Sequence, residues 1–285
     1  MKFAREFYEQ YQKAYALANR NLQRDKKLGL SSTPVVLEDI LDKSMIANKI
    51  DLGITDIPTN LIMGIAHQTQ ALTLYTRAFF PTADPDSKYA EHWIGLYHEF
   101  VNQGSFGEEI KCVEYLGKFY VIDGLKRVSV ARCMESCTIS AHVIRIMPVK
   151  NDTTEILQYF DFLRQYQMTH LYQLQFTQKG YFNKLQEAMQ KQNTCVWDET
   201  DRISFLQYWP KIETAFEKSY GDYLKITAAD ALVVLMKRYT YSQIIHMDPW
   251  VLARVFQAAG KELYAISFPE PCKSEAGGNG RLHTA

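Results

Sequence analysis

The sequence predicts an α+β fold: a small mixed sheet, preceded by an N-terminal helix and followed by a helical module. Three observations predict it. Residues 118–132, KFYVIDGLKRVSVAR, run from the β-branched and aromatic Phe119, Tyr120, Val121 and Ile122 through Asp123-Gly124 into Val128, Val130, Ala131 and Met134 at helical spacing. Further strand-like segments flank this unit at 110–115 and 138–147. From residue 151 the alternation gives way to helical periodicity.

With 285 residues, 47% of them hydrophobic and 22% charged, the chain is long enough and apolar enough to bury a core. Lysine plus arginine equals aspartate plus glutamate at 32 each, so the formal net charge is zero. That balance excludes a global attraction to nucleic acid or to an anionic membrane, and DNA contact would have to use a local patch. The first 24 residues mix charges with aromatics where a signal peptide would be apolar, and no apolar run is long enough to span a bilayer. A soluble, cytoplasmic protein with no membrane partner is expected. The cysteines at 112, 133, 137, 195 and 272 lack the paired spacing of a zinc or redox site. Cys133 and Cys137 lie one helical turn apart and suit a face of small hydrophobes.

Taken in order, residues 2–27 form an amphipathic helix with Phe3, Phe7, Tyr8, Tyr11, Ala14, Tyr15 and Leu17 along its apolar stripe. Its basic end, with Arg20, Arg24, Lys26 and Lys27, complements the helix dipole. Thr33-Pro34 interrupts, a short helical piece follows to residue 42, and residues 50–57 alternate as a strand that Pro58 ends. Residues 64–70 are a polar loop, and 72–86, with Pro81 and Pro85, are irregular. Helical spacing returns over 87–101 through Tyr89, Trp93, Leu96, Tyr97 and Phe100. His92 and His98 on that helix are six apart, which places them on different faces and argues against a zinc pair. Residues 104–107 turn, and 110–115 pair with 120–122 as a hairpin about Leu116-Gly117. After the helix that follows Gly124, residues 138–147 form the last strand, which Met147-Pro148 closes.

In the second half, helices are expected at 152–166, 180–190, 199–220, 227–239 and 249–259. Thr227 with Asp230 forms a capping box, and Asp248-Pro249 marks a helix start. Residues 240–254 have the size of a helix-turn-helix. The segment that would read DNA is apolar, however, where base contacts need Arg, Asn or Gln. Packing against the α/β domain, or a homodimer through the helical module, fits it better. The tail from 272, with Gly277-Gly278-Asn279-Gly280, has the composition of disorder.

The chemistry concentrates at the strand-turn-helix. Gly124 admits a turn conformation closed to most residues, and Asp123 is placed to cap the helix. The free amides of the first helical turn, the positive end of its dipole, Lys126 and Arg127 then converge on one spot suited to an anion such as phosphate.

Tyr120-Val121-Ile122-Asp123 followed by Gly124-Leu125-Lys126-Arg127-Val128-Ser129-Val130-Ala131 resembles the signature of the ParB/sulfiredoxin superfamily. Residues 53–62 resemble the opening strand and turn of a ParB-type domain. The resemblance covers about residues 50–148. It implies a ParB/sulfiredoxin-like domain over 50–148, and with the periodicity and composition on either side the expected division is an N-terminal helical extension over 1–49, a helical module over 149–268 and a flexible tail over 269–285.

By the same resemblance, Gly124, Lys126, Arg127 and Ser129 would touch phosphate. His67, Gln68 and Thr69 of the loop after the first strand would approach the ligand, and Glu114 and Asp123 are the candidate catalytic carboxylates. Leu125 stands where sulfiredoxins carry their nucleophilic cysteine, which argues against that chemistry. In partition-type proteins the same turn carries a glutamate and two arginines. Leu125 removes the glutamate, Lys126 replaces one arginine with a point charge, and Arg127 remains.

Three functions stay open. The first is a ParB-like protein that binds a nucleotide or other phosphate, in a DNA-linked regulatory or nuclease-like role. The second is a phosphotransferase of kinase type that uses a nucleotide with magnesium and Glu114 or Asp123 as base. The third is an interaction protein with a degenerate pocket. Magnesium would be carried by the nucleotide, and no resident metal site is expected.

Overall fold

The structure, a computed structural model, describes residues 4–192 and 194–268. The glycine-rich tail and Cys272 lie outside the described residues. The chain divides into two compact units, Met1–Gln173 and Leu174–Ala285.

The first unit is built on one sheet of six strands. In chain order its elements are α1 (Arg5–Lys27), β1 (Val35–Val36), α2 (Leu37–Ile40), β2 (Ile46–Pro58), β3 (Ile62–Ile65), α3 (Lys88–Gln103), β4 (Ile110–Tyr115), β5 (Lys118–Asp123), α4 (Leu125–Cys133), β6 (Thr138–Pro148) and α5 (Thr154–Thr169). The sheet order is β1-β3-β5-β4-β6-β2. The pairings β1 with β3, β3 with β5 and β4 with β6 are parallel, whereas β4 with β5 and β6 with β2 are antiparallel. This is the mixed sheet of an α+β fold.

The β4–β5 hairpin pairs Tyr115 with Lys118 across a two-residue turn in which Leu116 and Gly117 have φ of 51° and 73°. Two left-handed residues in succession match the twist of a tight hairpin. At the sheet's other side, a Cβ on Gly64 would stand 2.0 Å from the Val35 carbonyl oxygen, so only glycine lets β1 approach β3 there.

One sheet face buries Ile110 and Cys112 of β4, Phe119 and Val121 of β5, and Ala141 and Val143 of β6. Val128 and Ala131 of α4 and Tyr159 and Phe162 of α5 complete that core. Strand alternation sends the intervening side chains to the opposite face, where Tyr120 and Ile146 pack with Leu37. Helices α1 and α3 join α4 in a third cluster of Tyr11, Ala14, Ala90, Trp93, Ile94 and Val130.

Two expected boundaries differ from what the fold shows. The sheet begins at Val35 rather than near residue 50, because β1, only two residues long, is too short to alternate and is recruited by its pairing with β3. Helix α5 was expected in the helical module, yet its Tyr159 and Phe162 belong to the sheet core, and the first unit runs to Gln173.

The second unit is helical: α6 (Tyr181–Ala188), α7 (Glu199–Tyr220), α8 (Ala228–Leu235), α9 (Tyr241–His246), α10 (Pro249–Ala258) and α11 (Gly260–Ser267). All eight residues of α8 are buried. The expected capping box forms there, with Thr227 and Asp230 exchanging side-chain and backbone contacts. Asp230, fully buried, also accepts from the Thr177 and Gln178 amides. In α10, Leu252 and Phe256 are buried, and Phe256 meets Phe216 of α7 edge-on at 5.6 Å between ring centroids. The apolar face of this second helix of the helix-turn-helix-sized segment is therefore spent on packing. Among the described residues no helix is long and apolar enough to cross a membrane.

Candidate functional site

A cleft of about 710 Å³ opens where β5 passes into α4. Gly124 makes the transition with φ 98° and ψ 21°. A Cβ at this position would lie 2.6 Å from Cγ2 of Ile110, so backbone conformation and the packing of β4 both select glycine.

The first intrahelical bond of α4 runs from the Val128 amide to the Gly124 carbonyl at 3.1 Å, and no side chain caps the helix. The amides of Leu125, Lys126 and Arg127 precede that bond and present donors and the positive dipole end to the cleft. Asp123 was expected as the cap. Gly124 itself takes the cap position, which leaves Asp123 one residue too early, and its carboxylate turns to Arg127 instead.

Arg127 is the most constrained charge here, with a side chain 12% exposed. Its Nη1 donates to the Glu108 carbonyl at 3.0 Å and to Glu108 Oε2 at 3.2 Å, and its Nη2 lies 3.5 Å from Asp123 Oδ2. Lys126 extends over the Tyr89 ring, its Nζ 5.2 Å from the centroid.

The opposite wall is the segment after β3. The Ala66 amide donates to the Val121 carbonyl at 2.9 Å, which seats the segment beside β5. His67 Nδ1 stands 3.0 Å from Glu38 Oε1, Gln68 donates to Asp39 at 3.1 Å, and Thr69 Oγ1 accepts the Ala71 amide. The hydrogen bond from His67 holds the Glu38 carboxyl below the usual carboxylate range. Ile65, Tyr75, Leu96, Phe106, Val121 and Leu125 supply an apolar lining. Burial pushes the Tyr75 phenol up to about 12, so it stays neutral there at physiological pH.

His67, Gln68, Thr69, Asp123, Gly124, Lys126 and Arg127, all named from the sequence, line this one cleft. Two candidates do not. Ser129 is fully buried, and its Oγ accepts from Trp93 Nε1 at 3.0 Å, because a residue one turn into α4 faces α3 rather than the helix start. Glu114 is also fully buried. It shares the core-facing parity of Ile110 and Cys112, and its oxygens take the Gly117 amide at 2.7 Å, the Tyr159 hydroxyl and Arg145 Nε. A carboxylate so enclosed has no access to a ligand, so it is removed from the candidate site.

The sequence reasoning missed Glu99, Phe106, Gly107 and Glu108, which form the rim. Glu99 accepts the Gly107 amide at 2.6 Å. A signal for Glu108 was present. The hairpin pairs Lys111 with Asp123, and continuing that register backwards sets Glu108 opposite the first turn of α4.

Among the described residues no three His, Cys, Asp or Glu side chains gather as a metal site. The first-turn amides of α4 with Lys126 and Arg127 suit an anion and the apolar wall an apolar appendage, while three carboxylates, Glu99, Glu108 and Asp123, line the same cleft. No family model matches the sequence, and no curated protein matches it significantly.

Proposed function

We propose that this protein is a ParB-like nucleotide- or phosphate-binding protein whose phosphates sit at the uncapped start of α4. One observation carries the reading. Two stretches separated in sequence, 67–69 and 123–127, meet across a single cleft at a helix start with unused amides. Arg127 and Lys126 supply the charge, and the apolar lining suits a base or similar ring.

The carboxylates on Arg127 compete with an anion but can be displaced. The Glu108 and Asp123 side chains are 83% and 66% exposed, so each can turn into water when an anion takes its place on Arg127. A phosphate held by a charged arginine and by backbone amides gains about 1.5–3 kcal/mol for each charged hydrogen bond. The protein offers magnesium no donor cluster among the described residues, so in this reading the metal enters on the phosphates.

We further propose a DNA-linked regulatory or nuclease-like role, which rests on the resemblance of residues 120–131 to the ParB/sulfiredoxin signature. A thermal-shift screen against nucleoside mono-, di- and triphosphates, each with and without magnesium, tests the site. A true ligand at a hundredfold excess over its Kd stabilises by about 2.7 kcal/mol. No shift with any of them would remove the proposal.

A further inference from the structure

The side chain on the rim that most directly opposes an incoming anion is Glu108. We propose that Glu108 is a built-in competitor for the anion site: its carboxylate occupies Arg127 in the resting protein and is displaced when ligand enters. This rests on the reading of the cleft as an anion site.

Glu108 makes two contacts with Arg127. Its carbonyl oxygen and its Oε2 both take Nη1 of Arg127, at 3.0 and 3.2 Å. The first contact belongs to the backbone, and that backbone is held. The Gly107 amide donates to Glu99, and Phe106 packs on Phe100 with ring centroids 4.8 Å apart. The second contact belongs to a side chain 83% exposed, free to swing into water without moving the loop.

Glu108 therefore does two separable things. Its carbonyl positions the guanidinium, and its carboxylate neutralises it. Asp123 adds a second negative charge to the same guanidinium. An anion must displace the Glu108 oxygen and then bind beside it against residual repulsion. An anion therefore reaches Arg127 only by displacing the Glu108 carboxylate, and pyrophosphate, which can meet Arg127, Lys126 and the first-turn amides together, probes that exchange.

The test is calorimetric titration of pyrophosphate into the full chain and into Glu108→Gln, Glu109→Gln and Arg127→Ala. Glutamine keeps the Glu108 carbonyl and the side-chain shape while removing the charge. Glu109 is the adjacent acid outside the cleft lining and controls for general electrostatics.

Glu108→Gln is expected to bind at least threefold tighter than the parent, Glu109→Gln within twofold of it, and Arg127→Ala at least tenfold weaker. Equal or weaker binding by Glu108→Gln, with the parent binding and Arg127→Ala impaired, overturns the inference and leaves the anion site standing. Equal tightening by Glu109→Gln also overturns it. Absence of binding by the parent and by Glu108→Gln overturns both the anion site and the competitor.

Discussion

Glu114 and Arg145 lie directly opposite one another on β4 and β6 and join as an ion pair within the sheet core, with the carboxylate fully buried and the guanidinium side chain 9% exposed. Further hydrogen bonds surround the pair. Glu114 also receives the Gly117 amide and the Tyr159 hydroxyl, and Arg145 Nη2 donates to the Tyr172 hydroxyl at 2.7 Å. Burial, reinforced by the negative charge of Glu114, holds the Tyr159 hydroxyl protonated well above the ordinary tyrosine range, so it stays a donor. Removing either charge strands the other in a core. Glu114→Ala is expected to lose about 3–5 kcal/mol of stability by urea denaturation. A loss below about 1 kcal/mol would mean that the pair is solvated in the folded protein.

Gly124→Ala tests the turn itself. The left-handed conformation costs a non-glycine residue about 1–2 kcal/mol, and the added Cβ meets Ile110 at 2.6 Å. A destabilisation of about 2 kcal/mol or more is expected, together with weakened anion binding. An unchanged melting temperature would contradict the geometry assigned to the start of α4.

Thiol labelling separates the cysteines. Burial pushes the Cys133 thiol up to about 12 and raises Cys112 further, whereas Cys137 is exposed. Because the thiolate is the reactive form, iodoacetamide at pH 8 is expected to modify Cys137 in the folded protein, and Cys112 and Cys133 only after unfolding. Peptide mapping reads this directly. Comparable rates at Cys133 and Cys137 would refute the packing of α4 against α3.

Asp51 gives a pH prediction. The Gly53 amide, and then His142, lower its carboxyl in the folded protein below the usual carboxylate range. As pH falls the unfolded chain takes up the proton first. The contribution is therefore full above the ordinary carboxylate pKa and is lost as pH descends through the depressed folded value. Asp51→Asn should be less stable than the parent at pH 6, and the gap should narrow as the pH is lowered to 3 in denaturant titrations. A gap that widens with acidity would reverse the sign and refute the assignment.

Much of this was legible locally. The strand-turn-helix around Gly124 is written in contiguous residues, and so are the Leu116-Gly117 hairpin and the Thr227 capping box, each decided by chemistry within a few positions. What the sequence concealed depended on distant partners. The strand Val35–Val36 exists only through β3, and α5 reads like any amphipathic helix until Tyr159 and Phe162 meet the sheet. Glu114 reads as a candidate catalytic carboxylate because its compensation, Arg145, lies 31 residues away. Ser129 sits in the motif yet faces Trp93 from α3. At the rim, Glu99 comes from α3 and is brought to the cleft only by the packing of that helix, whereas Glu108 follows from the hairpin register.

In the proposed function, phosphate is bound at the start of α4 with Arg127 as its main side-chain partner. Calorimetric titration of magnesium nucleoside triphosphates into the parent, Arg127→Ala and Lys126→Ala tests it most directly. A planar guanidinium makes paired contacts that the Lys126 ammonium does not, so Arg127→Ala should lose about 1.5–3 kcal/mol of affinity, tenfold or more, and Lys126→Ala less. Equal affinity of Arg127→Ala and the parent, or no binding by the parent, would contradict the account.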